Sequence, residues 1–162
     1  MLSSFARFPL SNGEQSVVWS YFGLSLVGAW VAFSTGVSLK EATTALPTVY
    51  DLWLAISGAI GASAALFYCR KYFGQADLFG MAKVVIGIAF VSLGAAFIAG
   101  TLALPIYGTM FGPLAMLSTF YAHPILAYVW GTALLGVNAA YAHRNREQNA
   151  HSEYSVEAKV LV

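Results

Sequence analysis

The stretch PIYGTMFGPLAMLSTFYAHPILAYVWGTALLGVNAAYAH, residues 105–143, decides the fold, because it reads either as one membrane helix or as two segments. It lies inside a run, residues 84–143, that holds no Asp, Glu, Lys or Arg. A membrane-spanning helix takes about 20 apolar residues. The stretch is therefore long for one span and short for two spans and a turn. The pair His123-Pro124 supplies a division. Proline is favoured at the first position of a helix, where its missing N–H costs nothing. A helix over 124–143 is about 30 Å long at 1.5 Å per residue, which matches the hydrocarbon thickness of a bilayer. Residues 105–122 then form an irregular or re-entrant connection, with Gly108 and the pair Gly112-Pro113 as breakers. The competing reading is a single long helix from Pro113, kinked at Pro124.

Working outward, three more runs have the length and character of spans: 17–39, bounded by Glu14 and Lys40; 50–69, closed by Arg70 and Lys71; and 78–104, stopped by Pro105. Of the 162 residues 59% are hydrophobic and 9% charged, against about a quarter charged in a soluble domain. Such a chain cannot cover a water-facing surface, so lipid is its solvent. The expected fold is all-α: a polytopic membrane helix bundle of four transmembrane helices, with the irregular or re-entrant connection before the last. The expected organisation is an N-terminal interfacial segment over 1–16, a four-span domain over 17–143 and a polar C-terminal tail over 144–162. In the first segment Leu2, Phe5 and Phe8 would dip into the headgroups. The tail is too short for a domain and would be disordered or order against a partner.

Four spans place Arg7, Arg70, Lys71, Arg144, Arg146 and Lys159 on one side, with Lys83 able to snorkel to it and only Lys40 opposite. By the positive-inside rule both ends are expected on the cytoplasmic or equivalent side of a bacterial inner membrane or an organelle membrane. Trp19, Tyr21, Tyr50, Trp53, Tyr68, Tyr72, Tyr107 and Tyr141 sit near the expected interfaces, as an aromatic belt requires.

Small residues recur at every fourth position: Gly28, Ala32, Gly36; Ser57, Gly61, Ala65; Ser92, Ala96, Gly100; Thr132, Gly136, Ala140. Gly80, Gly87 and Gly94 add a heptad spacing. Small residues let helix backbones approach closely, and that packing holds helices together in lipid. Gly28, Gly61, Gly87, Gly94 and Gly136 are accordingly expected at helix contacts.

Few residues offer chemistry. His123 reads as a helix cap or interfacial polar residue, with axial ligation of a haem or chlorophyll-type metal as the cofactor-binding alternative and proton or substrate handling as a third. A haem clasped by two histidines needs both at one depth, and His143 lies about 30 Å away along the same helix. Asn138 suits an interhelical hydrogen bond, and Asp51 suits the positive end of the second helix dipole. Single Cys69 leaves no partner for an internal disulfide or a cysteine-rich metal site. A net charge of +1 with no basic stripe argues against nucleic acid. No nucleotide, zinc-protease or serine-hydrolase motif occurs, and no paired carboxylates lie within a span. No cofactor is required by the sequence. These features point to a non-catalytic accessory subunit or assembly factor of a larger membrane complex. Its partners would be the lipid bilayer and other membrane protein subunits, or further copies of itself. The alternatives are a small oligomeric transporter or channel, and a haem- or pigment-binding protein using His123.

Overall fold

The computed structural model describes residues 11–39, 48–75 and 78–160. They form α1 (Asn12–Leu39), α2 (Val49–Cys69), a 3-10 turn (Arg70–Tyr72), α3 (Leu78–Ala103), α4 (Tyr107–Ala122) and α5 (Pro124–Val160), and no strand occurs among them. Four helices are long and apolar enough to cross a membrane: Asn12–Ser38, Val49–Tyr72, Phe79–Ala103 and Pro124–Ala150. The protein is an all-α bundle of four membrane-spanning helices with a fifth, shorter helix between the last two. Leu2, Phe5, Phe8, Arg7 and Lys40 lie outside the described residues.

Helix ends follow their local chemistry. The first span opens at Asn12, five residues before the start set by hydrophobicity at residue 17. Ser11 and Glu14 explain this. Glu14 N–H lies 3.3 Å from Ser11 Oγ, and Ser11 N–H donates to Glu14 Oε2 at 3.2 Å. This reciprocal capping box satisfies two backbone donors that a helix start leaves open. At α2 the carboxylate of Asp51, 1% exposed, accepts from Thr48 N–H at 2.7 Å and from Thr48 Oγ1 at 2.9 Å. The negative charge also meets the positive end of the helix dipole, as the sequence suggests.

Of the irregular or re-entrant connection expected before the last span, the irregular form is not found: residues 107–122 are helical. Gly108 and Gly112 do not break the chain here. They face α3, and the space their missing side chains leave is what lets the two backbones meet: the Cβ position of Gly108 falls on the carbonyl of Gly100, and that of Gly112 on the carbonyl of Ala96. Pro113 is accommodated inside the helix, where it forgoes one ladder bond. At 16 residues α4 is about 24 Å long, short of a span. It starts beside the last turn of α3 and ends beside the last turn of α1, with Thr119 Oγ1 3.0 Å from Thr35 Oγ1. Both contacts lie at one end of the bundle, so α4 starts and finishes there and the count of spans stays at four.

The division at His123-Pro124 is present. His123 leaves helical geometry at φ −130° and ψ 76°, its N–H closing α4 on Thr119 O at 2.8 Å, and Pro124 is the first residue of α5. A single kinked helix from Pro113 does not occur. The α3–α4 turn carries strain. Ile106 has φ 73° and ψ −62°, and Tyr107 N–H donates to Pro105 O at 3.0 Å, which together make a γ-turn of the rare handed form.

At the opposite end, the chain leaving α2 turns at Gly74, φ +82°, and docks on α5. Asn138 Oδ1 accepts from Gly74 N–H at 2.8 Å, and Asn145 Nδ2 donates to Gly74 O at 3.2 Å. Glu147 Oε2 accepts from Gly13 N–H at 2.8 Å, tying α5 to the first turn of α1. These contacts gather Arg70, Lys71, Arg144 and Arg146 at this one end, called here the basic end, together with both the start of α1 and the polar part of α5. The residues after 143, expected as a separate tail, instead continue α5 without a break to Val160. No Gly or Pro occurs between Arg144 and Val160 to stop the helix.

The interior is uneven. Toward the basic end Leu24, Leu66, Val91, Leu134 and Val137 are all buried to within 2% and fill the space between α1, α2, α3 and α5. Toward the His-Pro end the facing residues are mostly Gly and Ala, and the helices border a partly open chamber.

Two outcomes follow from this geometry. Ile106 is 78% exposed, so its side chain holds nothing. A positive φ at a β-branched residue costs about 1–3 kcal/mol, whereas glycine there costs about 0.5–1 kcal/mol in entropy. Ile106→Gly is expected to raise unfolding stability in detergent by about 1 kcal/mol, and a loss of stability would contradict the strained turn. In a Cys69→Ser background, single cysteines at Ser11 and Gln148 are expected to react with an impermeant maleimide from the same face of sealed vesicles; reaction from opposite faces would contradict the four-span path.

Candidate functional site

An apolar chamber lies at the His-Pro end of the bundle. Its volume is about 400 Å³. Residues of α1, α2, α3 and α4 line it together with Trp130 of α5. Its lining runs from Tyr50 and Leu104 near the helix ends to Gly28 and Gly58 near mid-span. By helical rise that is roughly 13 Å, from Val49 to Gly58 along α2.

Glycine contacts build this shell. A Cβ on Gly28 would stand 2.6 Å from that of Ala62 and 2.7 Å from Gly58 O, and Gly58 in turn packs on the backbone of Gly28, so α1 and α2 meet main chain to main chain. Gly61 performs the same service between α2 and α3, its Cβ position 2.7 Å from Ala95 O and 3.0 Å from Ala99 N. Gly100, Gly108 and Gly112 join α3 to α4. In lipid such approach maximises van der Waals contact, which replaces the missing hydrophobic drive between helices. The cost is that small residues leave space wherever two tight seams diverge, and the chamber lies there.

The remaining glycines singled out by spacing have different surroundings. Gly87 faces the turn after α2, with Tyr72 Cβ 2.8 Å from its Cβ position. Gly94 is looser, meeting only Ala65 Cβ at 3.4 Å, an ordinary contact. Gly136 does not lie at a helix contact within the chain: no atom stands within 4 Å of its Cβ position. It faces outward, together with Gly23, on an apolar groove of about 740 Å³ between α1 and α5. The four-residue spacing on α5 runs along this outer groove, which is why periodicity alone could not tell an inner seam from an outer one.

Polar side chains near the chamber are occupied with one another. Thr35 Oγ1 donates to Val31 O at 2.8 Å and stands beside Thr119. Trp130 Nε1 donates to Ser92 Oγ at 2.8 Å. His123 is exposed at the end of α1, with Nε2 3.2 Å from Ser38 Oγ. His143 lies at the basic end, its Nδ1 3.6 Å from Glu147 Oε1. The two histidines are thus at opposite ends of the bundle, and among the described residues no three His, Cys, Asp or Glu side chains converge. Asn138 and Asp51 serve the turn and the helix start described above, and Lys83 is exposed.

Several of these residues carried a readable signal that hydrophobicity concealed. Ser11-x-x-Glu14 is a capping-box pattern. Gly108-x-x-x-Gly112 is a close-packing pattern, placed in a segment whose proline drew attention to breakage instead. Trp130 against Ser92 had no sequence signal, since the pairing depends on how α5 rotates. Compared with protein-family models, with curated proteins and with solved structures, the chain matches none.

Gly61 and Gly136 separate an inner from an outer glycine. Gly61→Leu is expected to destabilise the purified protein by about 1–3 kcal/mol, the usual cost of overpacking, because backbone atoms cannot withdraw. Gly136→Leu is expected to leave the unfolding midpoint of the isolated chain unchanged. Equal effects in a detergent unfolding titration would contradict the placement.

Proposed function

We propose that the protein is a non-catalytic accessory subunit or assembly factor of a larger membrane complex, held in a bacterial inner membrane or an organelle membrane with its basic end on the cytoplasmic or equivalent side. The observation that carries this reading is the outer groove between α1 and α5. Gly23 and Gly136 open it to the surroundings, with no atom of the chain within 4 Å of either Cβ position. Bulky side chains suffice on a surface that meets only lipid. Small ones on a groove admit the backbone of another helix. The occupant of this reading is a transmembrane helix of a partner subunit, laid along α1 and α5.

The length of α5 supports the same reading. Its 37 residues extend about 55 Å, some 25 Å more than the hydrocarbon core. The polar part beyond the membrane is held to α1 by Glu147. A partner helix in the groove would therefore meet a helical projection on the aqueous side, and the two contacts would add within one complex.

Purification of the tagged protein from its native membrane in mild detergent tests the proposal. A heteromeric complex is expected, and Gly136→Trp is expected to release the chain from it without altering its own unfolding midpoint. A homo-oligomer alone would replace this reading with the transporter or channel. A visible absorption band lost on His123→Gln would replace it with the haem- or pigment-binding one.

A further inference from the structure

We propose that the chamber beside α4 is a binding site for one acyl chain of a bilayer phospholipid, drawn from the leaflet at the His-Pro end. Four features of the chamber lead to this occupant.

The first is size. Voids in native interiors rarely exceed a water molecule, whereas ligand sites begin at about 300 Å³ and favour the space between helices of bundles. At about 400 Å³ the chamber falls in the second class. The second is chemistry. A buried water needs two to four polar partners. The wall offers mainly Gly, Ala, Val and Leu; of its donors, Thr35 and Trp130 already donate to Val31 O and Ser92 Oγ, and the Tyr50 hydroxyl belongs to the exposed rim. Hydrocarbon needs no such partners.

The third feature is length. From the end of α2 to Gly58 the chamber reaches roughly 13 Å into the bilayer, and one leaflet of the hydrocarbon core is about 15 Å. A lipid tail runs over the same depth, from interface to midplane. The fourth is the rim. Tyr50, Leu104 and Phe111 line the chamber and are themselves substantially exposed, at 42%, 52% and 60%. An aromatic hydroxyl beside apolar side chains is the composition of the membrane interface, where the glycerol of a bound lipid would rest. α4 then has a definite role. Its tight seam with α3 fixes one wall, and the acyl chain enters beside it.

Trp130 is the reporter. It is 4% exposed and lines the chamber, while Trp19, Trp30 and Trp53 face outward. A variant with those three replaced by Phe, reconstituted in phosphatidylcholine brominated midway along its acyl chains, is expected to lose most of the Trp130 fluorescence seen in unbrominated phosphatidylcholine. Filling the chamber with Ala103→Phe, or separately with Ala115→Phe, is expected to cut that quenching at least twofold. Retained helicity and elution volume qualify each variant, and either one suffices. In the same preparations native mass spectrometry is expected to retain one phosphatidylcholine per parent chain and none in the filled variants. Trp130 emission equal in the two lipids would overturn the proposal. Quenching that both filled variants leave intact would also overturn it, since the bromines would then reach Trp130 from bulk lipid. If neither variant folds, retention of no phosphatidylcholine by the parent chain is the overturning result.

Discussion

Everything at the His-Pro end depends on the approach of two backbones, α3 and α4, at Gly100, Gly108 and Gly112. A 16-residue apolar helix has no stable place of its own in a membrane. It is too short to span, and its end groups need partners wherever water is absent. Contact with α3 resolves both problems. It holds α4 against the bundle, and it delivers the chain to Thr119 and His123 beside the last turn of α1. Only then can Pro124 begin a helix that runs antiparallel to α1. The even number of spans, the shared side of the basic residues and one wall of the chamber all descend from that seam.

The bundle is accordingly two structures in one. Its basic half is a conventional interior in which Leu24, Leu66, Val91 and Leu134 interdigitate. Its other half trades side-chain volume for main-chain proximity. Close packing at glycine gives strong local attraction at the seam but cannot fill the space where seams part. Side chains large enough to fill that space would push the same helices apart. A membrane protein has a third option, since its solvent is itself a flexible hydrocarbon able to complete the packing.

Much of this architecture was legible in the sequence. Apolar runs bounded by charge located the spans, and proline chemistry located the break before α5. The side shared by Arg70, Lys71, Arg144 and Arg146 followed from counting spans, and the contacts of Gly13 and Gly74 with α5 bring them together. Three things were not legible. Residues 107–122 combine Gly, Pro and aromatic residues, a composition shared by loops and by tightly packed helices, and only the facing surface of α3 decides between them. Gly61 and Gly136 have the same spacing pattern, yet one faces a backbone and the other faces outward, because periodicity fixes a face but not the neighbour it meets. The continuation of α5 past residue 143 was hidden by its polarity, although polarity ends a span and does not end a helix.

That continuation makes α5 a load path. A pull or push on its aqueous end passes through an uninterrupted rod of main-chain hydrogen bonds, because no glycine or proline lies between residue 137 and Val160 to absorb a bend. One lateral restraint on it is the carboxylate of Glu147 on Gly13, so part of the load enters α1 directly. From α1 it crosses at Gly28 to Gly58, where two main chains are in contact and no side chain can yield. The helix pair that receives the force is also the pair that walls the chamber. Stress applied in water therefore reaches the lining of the chamber.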